Sequence, residues 1–328
     1  MVHLERQVIG RSLEEVQFYL QKAIELEHAT IPPYLTAYYS LYGNSNEDIR
    51  QVLREVAIEE MLHMGLVANI LNAIGGKPKL YSTEFIPSYP APLPLGIGSE
   101  QPDKEFIVPL EPYSRQLLKD VFMEIEEPEN LRSFPAEEVM PVVEAGFSFT
   151  TIGEFYTALK EALTDLGEEI FIDPPRNQVD IHQSFAGLVN KERVPAMVTG
   201  LKEALRAIEV IVEQGEGTQS SPLDQNSTLM EDYAHYYKFA AIYQGRGLKV
   251  DLTKTESFSY TGARIGYNSE DVYPMIANLK LSDLRIGSNE HQRLKEFNQI
   301  YTLMLQQLDQ AFNGHPKKNA AGYSNNER

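Results

Sequence analysis

The chain has 328 residues, 42% of them apolar, which is enough for one large core or two ordinary domains. It has no cysteine, so disulfides, thiolate metal ligands, iron–sulfur clusters and a cysteine nucleophile are excluded, and any metal must take nitrogen and oxygen ligands. A formal net charge of -18 repels nucleic-acid phosphates and anionic membranes and favours cations as ligands.

The start, MVHLERQVIGRSLEE, has no apolar signal-type run, and no later run reaches membrane-spanning length. A cytoplasmic location, with neither a membrane nor a nucleic-acid partner, is therefore expected. Residues 12–42 read as a first helix, with Leu13, Val16, Leu20, Ile24, Ile31, Leu35 and Tyr38 recurring at spacings of three and four. Glu27 falls in the middle of that stripe and is expected in the core. Glu25 and His28 are phased away from it. The pair Pro32–Pro33 predicts a kink or a break. Residues 46–74 read as a second helix, capped by Asn46 or Ser45 and stopped by Gly75–Gly76. Ile49, Val52, Val56, Val67, Ile70 and Ile74 mark its buried face, which Glu60 and His63 straddle; Glu59 sits further off. The short turn between the two helices implies an antiparallel hairpin.

Residues 77–112 are proline-rich and read as an ordered loop or short extended segment, 113–127 as a modest helix and 130–146 as a mobile connector. Residues 150–169 read as a third long helix, with Ile152, Phe155, Tyr156, Leu159, Leu163 and Leu166 on one face and Glu154, Ala158, Glu161 and Asp165 on another. Residues 173–190 are irregular, and 194–212 are amphipathic and ended by EQGEGTQSSP. Residues 223–245 read as a fourth long helix, with Asp232 inside its apolar face and His235 at the edge. Residues 248–278 are turn-rich, with short strands at KVDLT and SFSYTG; 289–312 form a last amphipathic helix. The expected organisation is a helical domain over 1–250, an extension over 251–314 packed on it, and a disordered tail over 315–328.

Glu27, Glu60-x-x-His63, Glu154 and Asp232-x-x-His235 thus fall on four helices. Two neighbouring divalent ions need about this set: four carboxylates to offset charge and bridge, and an imidazole for each ion. Each member alone has a plainer reading: a surface pair for Glu60–His63, a salt bridge for Glu27, a hydrogen-bonded pair for Asp232–His235, a solvated acid for Glu154. Glu161 is a geometric substitute for Glu154. Acids inside apolar stripes call for cations, because an unpaired buried carboxylate is costly or stays protonated. Tyr34, two turns from Glu27 on the same side, is the candidate catalytic side chain, as a hydrogen-bond donor behind the ligands or a redox-active phenol; a plain core tyrosine is the other reading. There is no phosphate loop, nucleophile elbow or dinucleotide fingerprint, and His182, His291 and His315 read as surface residues.

The stretches ELEHATIPPYLTAYYSL, EEMLHMGLVANILNAIGG, PSYPAPLP, VFMEIEEPE, TIGEFYTALKEAL, VEQGEGT and AHYYKFAAI together resemble the ferritin-like domain of the iminophenyl-pyruvate dimer synthase type. That domain occurs in violacein-type and indolocarbazole-type biosynthetic enzymes and in stand-alone bacterial proteins. The resemblance covers about residues 12–245. It implies a mainly α fold, a ferritin-like four-helix bundle with long inter-helix loops and extra helices. It also implies Glu27, Glu60, His63, Glu154 and His235 as metal ligands. Asp232 stands where the family pattern has glutamate, which puts full two-metal occupancy in question.

The expected activity is that of a non-haem di-iron oxidoreductase with two irons, or manganese, acting with dioxygen or peroxide on a small, amino-acid-derived substrate of specialised metabolism. Two alternatives stand beside it: coupling of two imino-acid molecules, and a ferritin-like metal-binding or storage protein. The oligomeric state is left open, a homo-oligomer included.

Overall fold

The computed structural model describes residues 9, 12–98, 105–128, 151–217, 222–227, 232–251 and 257–314. The expected connector at 130–146 and tail at 315–328 lie outside the described residues.

Helix α1 (Leu13–Ser40) opens on a reciprocal cap: the Ser12 hydroxyl accepts from the Glu15 N–H, and the Glu15 carboxylate accepts from the Ser12 N–H. It runs as one continuous helix through Pro32 and Pro33, so the expected break is absent. Pro33 has no N–H for the Ala29 carbonyl, and the buried Tyr89 hydroxyl donates to that carbonyl instead, at 2.8 Å. Helix α2 (Glu47–Ala73) returns along α1 and is stopped at Gly75, whose φ of +78° suits glycine. Asn46 precedes it but does not cap it; its amide is turned to the Asn268 and Asp271 carbonyls.

The proline-rich segment is an antiparallel pair, β1 (Ala91–Pro92) with β2 (Ile107–Val108), in the register Ala91 to Val108. Next come α3 (Arg115–Leu117), a π turn over Leu118–Phe122 and α4 (Met123–Ile125), in one rod. Helix α5 (Ile152–Leu166) is capped by the Thr151 hydroxyl. After the short α6 (Ile181–Ser184), α7 (Leu201–Glu216) extends past Val212, where the sequence had suggested an end.

The fourth long helix expected over 223–245 is not formed as such. Leu223–Asp224 (β3) pairs antiparallel with Asp232–Tyr233 (β4), and the helix α8 spans only His235–Gln244. Polar side chains turn the chain back on itself there: Asp224 accepts from the Asn226 N–H at 2.7 Å and Asp232 from the Tyr233 N–H at 2.8 Å. Such local bonds compete with helix. Beyond it, β5 (Lys249–Asp251) pairs with β6 (Ser257–Ser259), and α9 (Asn289–Asn313) ends the described chain.

The four long helices α1, α2, α7 and α5 close a ring, each packed on the next. Inside lie Val16, Leu20, Ile24, Leu53, Val56, Phe155, Leu159, Ile208 and Ile211, all buried. The α3–α4 rod and α8 pack on one another, and α8 also packs on α2 and α7. Helix α9 lies across α1 and α2: Tyr301 meets the His28 Nε2 at 2.7 Å, and Asn72 donates to the Phe312 carbonyl at 2.8 Å. His28, phased away from the core, is therefore buried, because α9 covers that side of α1. Among the described residues no helix is long and apolar enough to cross a membrane.

Candidate metal centre

Five side chains meet where the ring joins the α3–α4 rod and α8. Glu27 comes from α1 and Glu60 and His63 from α2, one turn apart. Glu126 follows α4, and His235 is the first residue of α8. All five are buried. Two triads share one member: Glu27, Glu60 and His63 form the first, Glu60, Glu126 and His235 the second.

Glu60 spans the two. Its Oε2 lies 3.6 Å from His63 Nδ1, and its Oε1 lies 3.0 Å from His235 Nδ1. Glu27 Oε2 is 3.6 Å from His63 Nδ1, and Glu126 Oε2 is 3.4 Å from His235 Nδ1. The imidazole rings stack at 5.6 Å between centroids.

Both histidines turn Nδ1 inward because their outer nitrogens are engaged. His63 Nε2 is 3.1 Å from Gln214 Oε1, and the Gln214 amide nitrogen donates to Asp224 Oδ2 at 3.0 Å. The Asp224 carboxylate fixes which way the amide faces, so Gln214 offers its oxygen to His63. His235 Nε2 is 2.9 Å from Glu59 Oε2, and Lys238 Nζ is 3.1 Å from the same oxygen and 3.0 Å from Asp232 Oδ1. Each outer terminal carboxylate also accepts from a buried phenol. Tyr34 donates to Glu126 Oε1 at 2.6 Å, and Tyr156 donates to Glu27 Oε1.

The electrostatics describe a basin waiting for positive charge. Burial pushes the Glu27 carboxyl up to about 8, against the pull of His63. Burial likewise raises Glu126. Glu60 is also disfavoured by burial, but the imidazoles of His235 and His63 beside it outweigh this and hold it below the usual carboxylate range. Burial lowers His63, yet Glu27 and Glu60 more than compensate and bring it to about 10; His235 is raised in the same way, with Glu126 the largest opposing influence. Protons thus stand where cations would.

The donor set fits a metal pair. The buried His235 Nδ1 has no aligned hydrogen-bond partner despite the two carboxylate oxygens near it. Three carboxylates and two imidazoles, one carboxylate spanning both groups, give each of two positions a histidine, a carboxylate of its own and a share of Glu60, one carboxylate fewer than the four of the ferritin-like pattern.

The structure brings Glu27, Glu60, His63 and His235 together and sets Tyr34 against them. It does not bring Glu154 or Asp232 with them. Glu154 opens α5 half-buried, its N–H capped by Thr151 at 3.1 Å. Asp232 is on β4, not on a helix one turn before His235, and pairs with Lys238. A third acidic group, Glu59 with Asp224 and Asp232, already has that ammonium against Glu59 and Asp232. Sequence reasoning missed Glu126, Gln214, Tyr156 as a partner of Glu27, and Glu59. Glu126 had a signal: it lies four residues after Phe122 and one after Ile125, on the rod's buried side. A cleft of about 210 Å³ beside Lys191, Arg193 and Lys202 includes none of the centre's residues.

Residues 20–244 match the sequence model of the family described as Ferritin-like. The chain belongs to this ferritin-like family. It is 26% identical over 287 residues to the dichlorochromopyrrolate synthase of Lentzea aerocolonigenes, a match that covers 82% of this chain but only 25% of that enzyme. The chain therefore spans about a quarter of the length of that relative. A crystal structure of a ferritin-like protein from Caulobacter vibrioides superposes with a TM-score of 0.61 at 22% identity, over 94% of this chain and 89% of that one. That likeness speaks to the fold.

Proposed function

We propose that the chain is a non-haem di-iron oxidoreductase acting on a small, amino-acid-derived substrate in specialised metabolism. The observation that carries this is Glu60, whose two oxygens each face a separate histidine–carboxylate pair. In this reading Glu27 and His63 would hold one ion, Glu126 and His235 the other, and Glu60, common to both groups, would serve both. Two irons held there would supply the redox chemistry that activates dioxygen or peroxide. The protein's own part is orientation and exclusion of water. Tyr156 and Tyr34 hold the outer oxygens of Glu27 and Glu126, fixing the carboxylate planes. Gln214 and Glu59 hold the imidazole tautomers. Tyr34 also keeps its phenolic O–H on Glu126 Oε1, with 2.6 Å between the oxygens, where it could hold or supply a proton. Manganese would satisfy the same donors.

Anaerobic reconstitution with ferrous iron followed by metal analysis tests the centre. Close to two irons per chain is expected; trace iron and manganese would sink the reading, and hundreds of irons would replace it with storage. One relative favours a second reading, an imino-acid-coupling reaction, because this chain aligns over most of its length with part of a dichlorochromopyrrolate synthase. Product analysis after oxygen consumption with candidate amino or imino acids separates the two: a single oxidised substrate supports the first, and a dimer of the imino acid supports the second.

A further inference from the structure

The two halves of the centre look alike in their inner ligands: one imidazole, one private carboxylate held by a tyrosine, and one oxygen of Glu60. They differ behind the imidazoles. His63 hands its outer N–H to the oxygen of a neutral amide, Gln214, at 3.1 Å. His235 hands its outer N–H to a carboxylate, Glu59, at 2.9 Å. A hydrogen bond to a carboxylate is roughly twice as strong as one to a neutral acceptor, and it pushes electron density through the ring to the inward nitrogen. A carboxylate behind a ligating imidazole therefore makes the inward nitrogen the stronger donor.

The surroundings keep the two partners different. Lys238 Nζ lies 3.1 Å from the same Glu59 oxygen that faces His235 and 3.0 Å from Asp232, so Glu59 is held in place by the ammonium as well as by the imidazole. The strand pair places Asp224 directly across from Asp232. Asp224 in turn binds the Gln214 amide nitrogen at 3.0 Å, which stops the amide from flipping and offering His63 a donor. One two-residue ladder thus organises the outer partners of both histidines. Lys238 offsets part of the Glu59 charge but leaves the carboxylate oxygen in contact with the imidazole.

We infer that the two metal positions are unequal: the one built on His235 and Glu126 fills first and holds its ion more tightly, and Glu59 is the positioning residue that makes it so. This rests on the proposed metal centre. The atoms involved are a carboxylate and an imidazole of this chain, and no step of any reaction is required.

The test is calorimetric titration of the metal-free protein with cobalt(II) alone. Two steps are expected, about 10- to 100-fold apart, the usual effect of an outer partner on metal affinity. Glu27→Gln should remove the weak step and keep the tight one, and Glu126→Gln the reverse. Glu59→Gln gives His235 the same kind of partner that His63 has, so the tight step should weaken by about 10- to 100-fold and merge with the other. A merely structural role for Glu59 would weaken both steps together. A single class of two equal sites in the wild-type protein, a tight step that survives Glu126→Gln but not Glu27→Gln, or a Glu59→Gln isotherm with the two steps still apart would each overturn the inference and leave the metal centre standing. Absence of any cobalt binding would instead overturn the metal centre itself. Should Glu59→Gln fail to fold, shown by lost helical circular dichroism, the wild-type, Glu27→Gln and Glu126→Gln titrations decide alone.

Discussion

Glu126 and Glu154 show how one residue's surroundings decide its chemistry. Both are helix-end acids near the bundle. Glu126 is buried with an imidazole 3.4 Å away and a phenol 2.6 Å away. Glu154 is half-buried in the first turn of α5 and belongs to neither of the triads that share Glu60. Glu126→Gln is expected to lower metal affinity at least about tenfold, while Glu154→Gln leaves it unchanged; metal analysis after dialysis against a buffered ion distinguishes them. Equal loss in both would return the assignment to Glu154. The phenols make a finer prediction. Tyr156→Phe removes the donor from Glu27 Oε1 without removing a ligand. Metal affinity should fall by about tenfold at the His63 position, and the metal-free fold should lose no more than about 1–2 kcal/mol in denaturant unfolding. Undiminished affinity would show that the carboxylate plane is set by the helices rather than by the hydrogen bond.

At the scale of elements, the unbroken α1 needs its explanation tested. The Ala29 carbonyl is deprived of its helical partner by Pro33 and satisfied by Tyr89, across from another segment. Tyr89→Phe should therefore cost about 1–3 kcal/mol, the price of a buried carbonyl left unpaired. In a Pro33→Ala background, where the missing N–H is restored, the same substitution should cost clearly less; a double-mutant cycle with no coupling would refute this account. The elements also show what the sequence could convey. In α1 and α2, long helices with sustained period, phase alone put Glu27, Glu60 and His63 inside. The same method failed where the helix is interrupted. In the α3–α4 rod the π turn makes the Met123 N–H reach the Leu118 carbonyl, five residues back, so a 3.6-residue wheel loses phase just before Glu126. At 223–245 the D-x-x-H spacing was read as helical, but the Asp224 and Asp232 carboxylates bind nearby backbone N–H groups and the helix starts only at His235. Gln214 was missed because EQGE continues α7. His28 was misplaced because α9, which buries it, lies far away in sequence.

The whole molecule couples the centre to pH and to stability. Without metal, burial pushes the Glu27 carboxyl up to about 8 and the neighbouring carboxylates push the His63 imidazole up to about 10, both above the ordinary 4.5 and 6.5 of an unfolded chain. Groups with raised folded values stabilise the fold fully below the unfolded value and lose that contribution as pH rises through the folded one. The metal-free protein should therefore weaken from about pH 5 toward pH 10 on account of these two groups. Glu60, held low, acts in the opposite sense, and its contribution is lost only on acidification below the ordinary carboxylate range. In the proposed centre, metal binding would reverse the trend, since Glu27 and His63 would have to give up protons to serve as ligands. Affinity for a divalent ion should rise steeply up to about pH 8, where Glu27 still releases a proton, and less steeply above it, where His63 remains to be deprotonated. Because a ligand that binds only the folded state stabilises it in proportion to the logarithm of its occupancy ratio, the gap in melting temperature between loaded and metal-free protein should widen from pH 6 to pH 9. Melting curves of both forms across that range, with calorimetry in buffers of different ionisation enthalpy to count released protons, measure the coupling. A gap that stays constant, with no proton release near neutrality, would mean that the buried acids are already ionised without metal and that the charge balance of the centre comes from elsewhere.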